Sequence, residues 1–188
     1  MNINLDNSSQ HIHFIGIGGI SMSGLAEILN YEGFIISGSD IKDTAITESL
    51  KSQGIKVIIG QKAENITPDT NIVVYTAAVK HDNPEILAAE SLGIPVIERA
   101  TLLGAIMDRY KNSIAVSGTH GKTTTTSMIS EVLLADNDDP TLSIGGILKS
   151  IGGNIRVGKS DYFVTEACEY TNSFLSFFPR ISIILNIE

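Results

Sequence analysis

Apolar residues along the chain fall into two alternating kinds of segment. Short β-branched runs bounded by Gly or Asp give way to longer stretches with apolar side chains at helical spacing. That alternation is the pattern of βαβ units and a parallel sheet. Residues 11–15 read as the first strand. Residues 21–32 then carry Met22, Leu25, Ala26, Ile28 and Leu29 on a helical face, and Gly33 stands where a left-handed residue stops a helix. The pattern continues with a strand at 34–37, a helix at 44–53 stopped by Gly54, and strands at 55–59 and 72–76. A helix at 83–92 ended by Gly93, a strand at 94–97 and a helix at 101–110 complete the first block. Polar Lys111 and Asn112 precede a new strand at 113–116, so the domain boundary is placed there, giving domains 1–111 and 112–188. Strands near 141–144, 161–165 and 181–186 belong to the second block. The fold class read from this order is α/β: a Rossmann-like parallel-sheet domain, then the start of a P-loop-type domain.

Each block opens on a glycine-rich turn between a strand and a helix. In the first, Gly16-Ile17-Gly18-Gly19-Ile20-Ser21, bare glycines let backbone N–H groups approach a pyrophosphate at a helix N-terminus. Ser21 takes the third glycine position of the dinucleotide fingerprint, and Asp40 stands near the end of the second strand, about where an acidic residue takes ribose hydroxyls. This much fits NAD, and it also fits a tight turn with no ligand. The second turn, Ser117-Gly118-Thr119-His120-Gly121-Lys122-Thr123-Thr124, places amides and the Lys122 ammonium around nucleotide phosphates, with Thr123 in reach of Mg²⁺. It departs from the usual P-loop because Val116 stands where that motif has its first Gly. A lone cation at a helix start opposes the helix dipole unless an anion is present.

Glu166 follows the apolar strand 161–165 and would emerge at its carboxyl end, on the side of the phosphate loop, as a Mg²⁺ ligand. Glu169 reads as a solvated carboxylate, and Cys168, with no base beside it, as a small buried residue. His120 touches phosphate or serves as a structural donor. His11, His13 and His81 lack metal-ligand spacing and read as ordinary residues.

Composition narrows the classes without choosing among them. Hydrophobic residues make up 43% and charged residues 18%, a mix suited to a packed globular protein. With 13 Lys and Arg against 21 Asp and Glu the formal charge is −8, and no basic stripe offers itself to nucleic acid. Cys168 is the only cysteine, so no internal disulfide forms and a reducing cytoplasm fits. The polar first ten residues have no signal-peptide pattern, and no apolar run approaches membrane-spanning length.

Together these stretches resemble the Mur ligase family, whose ATP loop reads Gly-Thr-x-Gly-Lys-Thr, here Gly118 to Thr123. Stretches similar to its L-alanine-adding members are His13-Phe14-Ile15-Gly16-Ile17-Gly18-Gly19, Met22-Ser23-Gly24-Leu25-Ala26 and Ser37-Gly38-Ser39-Asp40. Asn83-Pro84-Glu85 and Ser173-Phe174-Leu175 extend the likeness over nearly the whole chain. The resemblance implies ATP at Gly118, Thr119, His120, Gly121, Lys122, Thr123 and Thr124, with Lys122 catalytic and Mg²⁺ at Thr123 and Glu166. It implies a UDP-sugar at Gly16, Gly18, Gly19, Ser21, Ser37, Ser39, Asp40, Thr76 and Ser173. The expected substrates are UDP-N-acetylmuramate and L-alanine, joined through an acyl phosphate in cytoplasmic peptidoglycan precursor synthesis. Many members have an Asp-rich version of Glu166-Ala167-Cys168-Glu169-Tyr170. In the family an Asp-His pair, the rest of the ATP domain and a third domain follow the point where this chain ends, so the chain is expected to bind without catalysing.

Three other readings compete. An NAD-dependent oxidoreductase would use Gly16, Gly18 and Asp40 but gives the second loop no role. A non-catalytic nucleotide-binding module is a second. A ligase that attaches a tripeptide to recycle cell wall is a third, opposed by the Gly18-Gly19 and Met22-Ser23-Gly24 details.

Overall fold

The computed structural model describes residues 5–167 and 174–187. They form two compact units that divide between Leu102 and Leu103. The expectation from sequence put the division after Lys111; the contacts put it inside a helix, α4 (Arg99–Asp108). Packing accounts for the difference. Gly104 lies so close to Ser176 that a Cβ there would collide with the Ser176 carbonyl oxygen, which fixes the second half of α4 in the second unit.

The first unit is a five-stranded sheet in the order β3-β2-β1-β4-β5. Its strands are β1 (His11–Ile15), β2 (Ile35–Asp40), β3 (Lys56–Ile59), β4 (Thr70–Tyr75) and β5 (Val96–Glu98). Every pairing is parallel. The connecting helices are α1 (Ile20–Tyr31), α2 (Ala45–Ser52) and α3 (Pro84–Ser91). Local chemistry sets their ends. Thr44 and Thr47 form a capping box at α2, and Asn83 caps α3 with Pro84 in its first turn. The core is sealed on one face by Met22, Leu25, Ile28 and Leu29 of α1 and on another by a cluster of Ile15, Ile66, Val73, Ile86 and Ala89. Covering both faces is what an all-parallel sheet requires. Because β1 lies between β2 and β4 while the chain winds outward in both directions, the carboxyl ends of β1 and β4 part and leave a crevice.

The strand expected at 34–37 runs instead through Asp40. Ser37 and Ser39 are buried, pair in register with His13 and Ile15, and satisfy their hydroxyls inside the protein. A polar run of this composition therefore stays in the sheet.

The second unit holds a five-stranded sheet in the order β10-β6-β9-β7-β8. These strands are β6 (Asn112–Ser117), β7 (Thr141–Leu148), β8 (Gly153–Arg156), β9 (Tyr162–Ala167) and β10 (Ile181–Ile184). β7 and β8 pair antiparallel; the other pairings are parallel. Helix α5 (Lys122–Ala135) follows β6, and Ile129, Leu133 and Leu134 pack on a cluster of Ile114, Leu142, Ile144, Leu148 and Val164. Among the described residues no helix is long and apolar enough to cross a membrane.

Candidate functional site

The crevice of the first unit is a cleft of about 710 Å³ whose walls include Gly16, Gly18, Gly19, Asp40, Thr76 and Asn83. The loop after β1 is folded tightly. Gly16, at φ +81°, turns the chain so that its own N–H and that of Ile17 both donate to the Ser39 carbonyl, at 2.8 and 3.0 Å. The Gly18 N–H donates to Asp40 Oδ2 at 2.9 Å. A Cβ on Gly18 would lie 2.8 Å from that oxygen and 2.9 Å from Thr47 Cγ2, so only glycine lets the strands' ends approach this closely. Gly19 is the N-cap of α1, and its lack of a side chain leaves the first-turn N–H groups uncapped by any side chain among the described residues. That arrangement favours an anion.

Asp40 borders the cleft, but its two oxygens hold backbone: Oδ2 the Gly18 N–H and Oδ1 the Lys42 N–H at 3.1 Å. Its visible work is shaping the loop. Ser21 Oγ accepts from Arg99 Nη1 at 3.0 Å, which brings a guanidinium to the start of α1. Arg99 comes from 78 residues downstream, a distance no local pattern bridges. Lys80, Gln61 and Asn83 also border the cleft, and of these only Asn83 lies in a stretch singled out from the sequence.

Ser37 and Ser39 stand behind the cleft in a buried polar network. Ser37 Oγ lies 2.8 Å from His13 Nδ1 and 2.7 Å from His11 Nε2. His11 Nδ1 lies 2.9 Å from Asp69 Oδ2, and hydrogen bonds from Thr67 and then His11 hold the Asp69 carboxyl below its ordinary range. Ser39 donates to Glu85 Oε2 at 2.6 Å. Thr76 lines the cleft itself. Beside it, burial pushes the Tyr75 phenol up, and the nearby Glu98 charge adds to that effect. Ser173 falls outside the described residues, as do Cys168 and Glu169.

In the second unit the Gly118–Thr124 loop joins β6 to α5, with Gly121, at φ +83°, as the N-cap. Lys122 Nζ folds over the loop, donating to the Gly118 carbonyl and lying 3.4 Å from that of Thr119. Asn186, just beyond β10, clamps the same loop. Its Oδ1 accepts from Thr119 N at 2.7 Å and His120 N at 3.2 Å, and its Nδ2 donates to the His120 carbonyl at 3.2 Å. Nothing in the sequence pattern marks Asn186 for this.

Parallel pairing places Glu166 of β9 opposite Val116 of β6, and its carboxylate reaches the start of α5. Thr123 Oγ1 donates to Glu166 Oε2 at 3.1 Å, and Gly145 N donates to Oε1 at 2.6 Å. The closeness depends on Gly145, where a Cβ would lie 2.7 Å from Glu166 Oε2. A hydroxyl and a carboxylate at contact distance, at the start of α5, suit Mg²⁺, which takes hard oxygen ligands and is usually completed by water and nucleotide phosphates. Among the described residues no cluster of three or more His, Cys, Asp or Glu side chains forms a self-sufficient metal cage. Thr124 is exposed in the first turn of α5.

A family model described as "Mur ligase family, catalytic domain" matches residues 11–111, and the chain belongs to that family. Among curated relatives it is 69% identical to the UDP-N-acetylmuramate–L-alanine ligase of Agathobacter rectalis over 95% of this chain, and 62% identical to that of Lachnoclostridium phytofermentans. The chain spans 39% and 38% of the lengths of those two relatives. A crystal structure of UDP-N-acetylmuramate-alanine ligase from Thermotoga maritima matches with a TM-score of 0.83 at 38% identity, over 93% of this chain and 40% of that one. A crystal structure of UDP-N-acetylmuramate:L-alanyl-γ-D-glutamyl-meso-diaminopimelate ligase from Neisseria meningitides matches with a TM-score of 0.84 at 32% identity, over 95% of this chain and 61% of that one.

Proposed function

We propose that this chain carries the UDP-sugar-binding unit and the front of the ATP-binding unit of a cytoplasmic UDP-N-acetylmuramate–L-alanine ligase. The observation that carries the reading is the second glycine-rich loop with the Thr123–Glu166 pair beside it. An NAD-dependent oxidoreductase has no use for it. The names of the relatives at 59–69% identity agree with this choice.

In the proposed reaction of the whole protein, an oxygen of the lactyl carboxylate of UDP-N-acetylmuramate attacks the γ-phosphorus of ATP. The bond to the bridging oxygen breaks, ADP leaves and an acyl phosphate forms. The nitrogen of L-alanine then attacks the acyl carbon, phosphate leaves, the amine gives up its proton and an amide remains. The contribution of this chain is positioning and charge: Lys122 and the amides at the start of α5 would face the phosphates, and the first-turn amides of α1 would face the sugar diphosphate. Thr123 and Glu166 would hold Mg²⁺, which supplies charge neutralisation on the nucleotide.

Two results test the reading. UDP-N-acetylmuramate should raise the melting temperature of the purified chain, by an amount equivalent to about 2.7 kcal/mol at a hundred times Kd, whereas NADH should leave it unchanged; stabilisation by NADH alone would favour the oxidoreductase. Replacing Gly145 with valine should push the Glu166 carboxylate off Thr123 and weaken Mg-ATP binding about tenfold, with UDP-sugar affinity untouched. Equal loss at both sites would mean that the substitution disturbs the fold and not the metal pair.

A further inference from the structure

Glu85 sits in the first turn of α3 with no exposed surface, and His13 of β1, equally buried, has its Nε2 3.4 Å from Glu85 Oε1. A carboxylate in that position is costly to bury, and an apolar residue of similar volume would fill the core more cheaply. What distinguishes Glu85 is where its partners lead. Oε2 accepts from Ser39, the residue before Asp40, whose carboxylate holds the Gly18 amide. Oε1 accepts from Asn65 Nδ2 at 2.6 Å, and the same Asn65 amide reaches the Gly60 carbonyl at 2.9 Å, next to Gln61. The Glu85 N–H donates to Asn83 Oδ1 at 2.8 Å, while Asn83 Nδ2 donates to Gln61 Oε1 at 2.8 Å. Gly60 N closes the circuit on the Asp40 carbonyl at 2.8 Å. Asp40, Gln61 and Asn83 all line the cleft.

We infer that Glu85 is a positioning residue for the nucleotide-sugar cleft: from behind the wall it ties the end of β2, the 60–65 turn and the start of α3 into one arrangement. It touches no ligand itself. Its two oxygens take two donors from two different segments, which a single apolar side chain cannot do. Fully satisfied buried networks of this kind fix one geometry, and a partly satisfied one leaves several near-equal geometries open. The inference rests on the reading of the cleft as a UDP-sugar site.

The test is calorimetric titration of UDP-N-acetylmuramate into the wild-type chain and into Glu85→Met, Glu85→Gln and Asn65→Ala, each checked by thermal melting. Glu85→Met keeps the volume and deletes both acceptors; its Kd should rise about tenfold or more in a chain that still melts cooperatively. Glu85→Gln should stay within about threefold of wild type, because its oxygen can keep Asn65 and its amide can donate to the Ser39 hydroxyl. Asn65 is only half-buried, so Asn65→Ala keeps the question open even if Glu85→Met does not fold; it should raise Kd about threefold or more. Wild-type affinity in folded Asn65→Ala and in any folded Glu85→Met would overturn the positioning role. Failure of the wild-type chain to bind would instead sink the assignment of the cleft.

Discussion

Leucine at position 18 should abolish nucleotide-sugar binding while the chain remains folded, with a loss of about a hundredfold or more in affinity. Even its Cβ would stand 2.8 Å from Asp40 Oδ2 and 2.9 Å from Thr47 Cγ2, so the loop must move away from the end of β2. That movement breaks the bond from the Gly18 amide to Asp40 and shifts the N-cap of α1 that follows it. Amides at a helix N-terminus act on an anion only at hydrogen-bond distance, and a displacement of about 1 Å forfeits most of the interaction. Gly18 itself borders the cleft, while Ile17 beside it is buried in the core, so a thermal melt must accompany the binding measurement. Titration with UDP-N-acetylmuramate beside a thermal melt is the check. Unchanged affinity of a folded Gly18→Leu chain would show that the diphosphate does not sit on this loop.

The second large effect is expected at Lys122. Methionine there keeps the length of the side chain and removes the cation at the start of α5, where a positive charge faces the positive end of a helix dipole and an anion would favour it. Mg-ATP affinity of the chain should fall about tenfold or more. In the whole protein the same substitution should slow phosphoryl transfer by about a hundredfold or more, the usual consequence of removing a group aimed at developing charge. A fluorescent ATP analogue reads the first quantity and phosphate release the second. A thermal melt of Lys122→Met separates loss of the cation from loss of the fold, since Lys122 is partly buried and donates to loop carbonyls. Wild-type nucleotide affinity in Lys122→Met would remove the basis for an ATP site here.

Most of the first unit was legible because its signals are local. Strand, glycine turn and helix follow one another within each cycle, and Thr44, Asn83, Gly33, Gly54 and Gly93 stand at helix ends. The glycine loops and the strand-end place of Glu166 were legible for the same reason. What escaped depends on partners far away in sequence. Ser39 looks like a loop residue beyond a strand ending at Ser37 until Glu85 supplies its hydrogen bond. His11 and His13 read as unremarkable because the hydroxyl they share comes from the neighbouring strand. Residues 145–148 continue β7, and β8 returns antiparallel beside it, although Gly145, Gly146 and Gly153 are among these residues; Gly145 stays in the strand to make room for Glu166. Asn186 and Arg99 act across 66 or more positions, beyond what any spacing rule reports. The division inside α4 follows from the contact of Gly104 with Ser176, again long-range.

A calorimetric titration of UDP-N-acetylmuramate into the 188-residue chain, with NADH titrated in parallel, measures the nucleotide specificity of the first cleft directly. One saturable site for the UDP-sugar, lost in Gly18→Leu, and no heat of binding with NADH is the predicted result. Saturable NADH binding with no UDP-sugar binding would contradict the account.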